Sequence, residues 1–380
     1  MTETSSLLGE VPSQPGDAAF LATLAERLAE AGRWADVLEV RLMQARLSVG
    51  LAVDASSADV ESETDRTRLD GLYVEACEEV GRGLLGEQKW AEAWRYLSAA
   101  GRPEPIRDAL AQQQPDEAAA DELIEVALYH RANPAAGFGW LLRHYGTCNS
   151  VTTLEGMGPE LPPADLSACV SLLVAHLYDE LLAALRLHIT QVEETAPAAA
   201  DLPALLAGRP WLFEAEASHV DASHLSAAVR LGRVLTEEPA IRLAFELADY
   251  GGRLHPSLHY GDAAPFEDLY PAHRRFYGAQ LGEGVDEAVA YFRQRADEAR
   301  PEADGLAPLE TLLVLLHRLG RGEAALAEFG RLAPAGAVLS PYAPQPLEMA
   351  RASGAWDAYD RVMSERGDVV AVAKGRLARP

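Results

Sequence analysis

Apolar residues along this chain recur at spacings of three and four. No segment sustains the apolar/polar alternation that a half-buried strand needs. That pattern restricts the fold to helices. It begins at Ala18, where Phe20, Leu21, Leu24 and Leu28 share a face, and resumes with Trp34, Val37, Leu38, Val40 and Leu42. Between the two runs, Ala31-Gly32-Arg33 is a helix stop and a turn. The same kind of joint returns at Leu84–Trp94, Leu281–Ala288, Leu319–Ala325 and Ser353–Tyr359.

These joints resemble tetratricopeptide-type helical hairpins: a small residue, Gly, a variable pair, an acidic residue, Ala, then an aromatic or aliphatic side chain. Gly320 and Gly354 stand 34 positions apart, the period of that family, whereas Gly282 and Gly320 are 38 apart. The resemblance covers roughly residues 18–115 and 276–370, with Pro334 where a repeat-end proline belongs. It implies a solenoid that holds a peptide or protein in a concave groove. The expected architecture is all-α: a tetratricopeptide-like, right-handed helical-hairpin solenoid with a divergent central helical bundle. Residues 1–16 are expected to be a disordered lead, 17–130 N-terminal helical repeats, 131–275 a divergent His-rich helical region, and 276–380 C-terminal repeats.

In that central region the periodicity predicts helices over 121–131, 137–144, 164–194, 221–235 and 238–250. Pro239 near the start and Gly251-Gly252 at the end frame the last of these. The intervening stretches 146–150, 195–210 and 251–271 are predicted connectors. No uninterrupted run reaches the ~18 apolar residues of a spanning helix. The strongest candidate, Ala168–Leu187, contains His176, Asp179, Glu180 and Arg186.

Composition narrows the partners. The formal net charge is −25, which repels phosphate backbones and anionic membrane surfaces, so neither nucleic acid nor membrane is an expected partner. Two lysines against 31 arginines, with abundant Ala, fit the coding bias of a GC-rich bacterial genome. Cys77, Cys148 and Cys169 are few and form no CxxC, which fits a reducing cytoplasm. The N-terminus lacks the basic-then-apolar pattern of a signal peptide. Phosphate-loop, nucleophile-elbow and His-Glu-x-x-His motifs are missing, and no GxGxxG follows a strand.

Histidine carries what functional signal there is. Nine of the ten lie between His130 and His273. His219-Val-Asp221-Ala-Ser-His224 stands where a loop enters a helix. Asp221 can cap that helix, and the free N–H groups there keep a neighbouring imidazole neutral, the state that ligates metal or accepts a proton. Such a cluster suits Zn, Fe or Mn; equally, it is a cap flanked by two packing histidines. On the apolar 164–194 helix, His176 and Glu180 lie one turn apart, either as a ligand or acid/base pair or as a core His held by a carboxylate. Further on, His255, His259, Tyr260 and His273 occupy a turn-rich stretch that either lines a pocket or packs on helices. His144 and Cys148, four apart around Gly146, read as a capped helix end rather than a thiol site.

Two functions are therefore expected from different classes. One is a binding protein that holds a peptide, protein or small-molecule ligand in a concave pocket lined by the His-rich centre. The alternative is an enzyme: either one dependent on a divalent metal (Zn, Fe or Mn) held by His176, Glu180, His219, Asp221 and His224, or an acid/base catalyst using His224, Asp221, Tyr260 and His273.

Overall fold

A computed structural model describes residues 18–56, 60, 62–198, 201–214 and 216–380; the lead expected over residues 1–16 lies outside them. Among the described residues every regular element is helical and no strand occurs. The chain forms two compact units, the first ending at His144 and the second beginning at Tyr145.

In the first unit, α1 (Ala18–Glu30) and α2 (Trp34–Ser48) make a hairpin whose turn residue Gly32 has a φ of +66°. α3 (Glu63–Gly86) packs on α2 and on α4 (Trp90–Ala99). Glycines set these approaches. A Cβ on Gly83 would lie 2.1 Å from the Trp34 ring, and one on Gly81 2.6 Å from Leu97. With Gly83 bare, Trp34 rests on α3 and its indole N–H donates to Glu87 Oε1 at 2.7 Å. Leu28, Val37, Cys77, Val80, Leu84 and Leu97 are buried between these helices, each apolar side chain contributing about 1.5–3 kcal/mol. α5 (Glu104–Ala111) and α6 (Glu117–Ile124) follow, and α6 runs into a π-turn at Glu125–Tyr129.

The helix α7 (Pro134–Met157) breaks at Gly146, where φ is 75° and ψ is 175°. The sequence predicts a connector over 146–150, but helix resumes at once. Ser150 Oγ donates to the Gly146 carbonyl and Thr152 Oγ1 to the Cys148 carbonyl, so these turn-favouring residues bond back along the helix.

In the second unit, α8 (Pro163–Glu193) is the core helix. By length and composition it is apolar enough to cross a membrane, and half of its most apolar window is buried within the protein. Cys169, Val170, Leu173, Leu177, Leu181, Leu185 and Ile189 are all buried. The short α9 (Leu202–Leu206) follows, then α10 (Ala222–Leu231) and α11 (Glu238–Arg253), both packed on α8. α11 runs through the expected Gly251-Gly252 stop because Gly251 is needed bare: a Cβ there would lie 2.3 Å from the Tyr270 ring of α12 (Leu269–Gln280).

The remaining helices are α13 (Val285–Glu298), the short α14 (Pro301–Asp304), α15 (Ala307–Arg318), α16 (Gly322–Leu332), α17 (Pro346–Ser353), α18 (Trp356–Glu365) and α19 (Val369–Ala378); α13 packs on α15, α15 on α16, α16 on α17 and α18, and α18 on α19. All five glycine joints predicted from the sequence fall between helices.

Candidate functional site

The expected metal ligands do not converge. His188 and His176 are both on α8, twelve residues apart, hence about 18 Å along a helix that rises 1.5 Å per residue. His219 belongs to the His188 end: His188 Nδ1 and His219 Nε2 are 2.9 Å apart. His176 belongs to the other end, where its Nε2 is 3.3 Å from Glu180 Oε1 and 3.2 Å from Thr147 Oγ1. Asp221 is the cap of α10; one of its oxygens accepts from Ser223 Oγ at 2.5 Å, Ser223 N at 2.8 Å and His224 N at 3.2 Å. Those bonds, the Ser223 hydroxyl first, hold the Asp221 carboxyl below its ordinary range. Among the described residues, no group of three or more His, Cys, Asp or Glu could hold a metal ion. The five-residue constellation is therefore two separate polar sites and a helix cap.

At the His188 end the structure adds partners that sequence reasoning passed over. His219 Nδ1 is 2.9 Å from Tyr250 Oη, and the His219 backbone N–H donates to the same oxygen at 3.1 Å. Trp211 meets His188 edge-on, with ring centroids 5.2 Å apart. Tyr250, His219 and His188 thus form a hydrogen-bonded chain. Burial, and secondarily the nearby His188, push His219 down to about 4. His188 was legible only as one more histidine on an apolar helix, because its partner comes from a segment thirty-one residues away.

His255 and His259 flank a short 3₁₀ turn (Pro256–Leu258) and are exposed, as is Tyr260. His273 is different: it is fully buried, its Nδ1–H donates to the Leu269 carbonyl at 2.7 Å, and Phe266 stacks on it at 4.2 Å. His273 and Tyr260, expected to share a site, therefore sit in opposite environments. Burial is the main cause that pushes His273 down to about 3, with the Arg233 charge adding to it. Its Nε2 and Asp262 Oδ2 are buried without hydrogen-bond partners, 3.9 Å apart.

Arg233 links this buried group to a cavity of about 630 Å³ in the second unit. The walls come from the start of α8, the 3₁₀ segment Gly232–Val234, Phe276 of α12, α15, and a strap at Ser340–Ala343. Gly232 leaves room for the Tyr277 hydroxyl, which donates to the Val229 carbonyl and seats this segment. Arg233 Nε donates to the Arg230 carbonyl at 2.9 Å, and its guanidinium lies over Phe266 at 4.9 Å and 3.7 Å from Asp262.

Arg318, at the end of α15, also lines the cavity; its Nη1 donates to Gln280 Oε1 at 2.9 Å. Burial pulls Arg318 down to about 10, which leaves it charged at neutral pH. The strap is held at two points: Ser340 donates its N–H and hydroxyl to Glu310, and the Tyr342 hydroxyl donates to the Gly158 carbonyl at 3.2 Å. The lining is mostly apolar, including Phe276, Val234, Val314 and Pro341. Among the described residues no histidine lines this cavity; its lining is arginine and apolar side chains with a few neutral polar groups and Glu310.

Comparison of the chain with protein-family models, with curated proteins and with solved structures finds no match in any of the three.

Proposed function

We propose that this is a tetratricopeptide-like, all-α binding protein that holds a small molecule in the cavity between α8, α12, α15 and the Ser340–Ala343 strap. One observation carries this reading: a cavity of about 630 Å³, apolar in most of its wall, with a few convergent polar groups. Small-molecule sites have that character and fall in the roughly 300–1,000 Å³ range. The glycine joints at Gly282, Gly320 and Gly354 support the repeat-like part of the proposal, since each turns the chain with positive φ between packed helices.

The test uses N-phenylnaphthylamine, an uncharged apolar fluorophore. It should bind the wild-type protein with enhanced emission. Val314→Trp, which fills the cavity from α15, should abolish that binding without unfolding the protein. Ala164→Trp, from the start of α8, provides a second obstruction. Unchanged binding in both variants, or none in the wild type, ends the proposal.

A second reading, acid/base catalysis, is favoured by the Tyr250–His219–His188 chain. Hydrogen-bonded neutral groups in series pass a proton along, and positioned imidazoles are common general acids and bases. The discriminating measurement is the titration of His188 in a Tyr250→Phe variant. A coupled relay shifts the His188 midpoint; a packing contact leaves it in place.

A further inference from the structure

The geometry points to a specific class of occupant: Arg233 and Arg318 select a small amphiphilic anion, one acidic group on an apolar body. This inference rests on the cavity being a ligand site.

Two arginines in one largely apolar cavity are unexpected in a chain of formal charge −25. Acidic side chains are abundant, yet among the described residues none lies within ion-pair distance of Arg318. Its hydrogen-bond partner is the neutral Gln280 amide oxygen. A half-buried guanidinium in a largely apolar wall, without a carboxylate, leaves donors that an anion can meet. Arg233 is held more tightly. Phe266 supports its flat face, Arg230 takes its Nε–H, and Asp262 at 3.7 Å is beyond hydrogen-bond reach. Its terminal nitrogens therefore keep donors to offer.

The carboxylate that does line the cavity, Glu310, is already occupied. Its two oxygens accept from Ser340 N at 2.6 Å and Ser340 Oγ at 2.8 Å. Glu310 thus fixes the strap, which leaves Arg318 without a carboxylate and Arg233 with only the 3.7 Å ion pair to Asp262, so both keep donors for a guest. A guanidinium offers planar, forked donors suited to carboxylate, sulfonate or phosphate oxygens. Phe276, Val234, Val314, Pro163 and Pro341 supply the apolar wall for the rest of the molecule.

Two fluorophores with the same aromatic skeleton separate charge from shape. Anilinonaphthalene sulfonate carries an anion; N-phenylnaphthylamine carries none. Wild-type protein should bind the sulfonate at least about tenfold more tightly, the size of one charge-assisted hydrogen bond. Arg318→Gln and Arg233→Gln should each reduce sulfonate affinity about tenfold and leave the neutral probe within about twofold. Thr311→Glu, which adds a carboxylate to the same wall, should act like them and covers the case in which an arginine variant does not fold.

Equal affinity for the two probes, or sulfonate binding indifferent to Arg318→Gln and Thr311→Glu, overturns the inference while leaving the cavity a ligand site. Failure of both probes to bind removes the ligand site itself.

Discussion

The Nδ1 of His188 lies 2.9 Å from the Nε2 of His219, so only one hydrogen fits between the two rings. Protonating both imidazoles would put two N–H groups head to head. Together with burial, this predicts that His219 stays neutral where an ordinary imidazole is half-charged. Its midpoint should fall near 4 in a nitrogen-15 NMR titration. Burial is the larger cause and His188 the smaller. A His188→Ala variant should therefore raise the midpoint without restoring the ordinary value. A wild-type midpoint near 6.5 would contradict the buried chain.

His273 makes stability depend on pH. Its folded pKa, about 3, lies below the unfolded value, so the unfolded chain binds the extra proton first. The contribution is fully present above about pH 6.5 and is lost as pH falls toward 3. For a side chain this buried the loss is on the order of 4 kcal/mol. His273→Phe keeps the stack on Phe266 and removes the titration. Melting temperatures between pH 7 and 4 should fall less steeply in the variant than in the wild type. Parallel curves would show that His273 is not the group responsible.

Gly71 and Gly83 lie on the same helix and should respond oppositely to alanine. Gly71 has open space where a Cβ would go, so Gly71→Ala should stabilise by about 0.5–1 kcal/mol through helix propensity. At Gly83 the new methyl would meet the Trp34 ring at 2.1 Å. The gain in propensity is then outweighed by about 1–3 kcal/mol of overpacking, and the Trp34–Glu87 bond is strained. Urea unfolding followed by tryptophan fluorescence measures both. The same sign at the two positions would refute the close packing of Trp34.

The strap should loosen locally. Tyr342→Phe removes the hydrogen bond to Gly158, worth about 0.5–1.5 kcal/mol net. Glu310→Gln weakens both contacts to Ser340. Amide exchange at Leu339–Ala343 should quicken in both variants, with α8 amides unchanged. Uniform acceleration across the second unit would mean that the strap is part of the global core rather than a separately opening segment.

Much of the helical framework was legible. Periodicity placed α8 within a residue at each end, and the glycine joints found five of the turns, because local backbone physics governs both. Gly146 misled: beside polar Thr147, Asn149 and Ser150 it reads as a loop, but Asn149 and Ser150 bond to carbonyls of their own helix and Thr147 reaches His176 and Glu180 on α8. The site was less legible. Asp221 was recognisable as a cap, since capping is local. The His188–His219–Tyr250 chain and the arginine cavity depend on side chains from distant segments, and a single sequence does not encode those distances openly. Arg318 in particular carries no local signal in the sequence. Only the tertiary structure shows that it lies in a cavity without a carboxylate beside it.

The hydrogen bond from Tyr342 to Gly158 joins residues 184 positions apart. During synthesis, the start of α8 and the Arg233 segment emerge long before the strap that encloses them. The cavity is therefore complete only once Ala343 has left the ribosome and found its place. A ligand captured there would favour the state with the Ser340–Ala343 strap in place over any state in which it is detached.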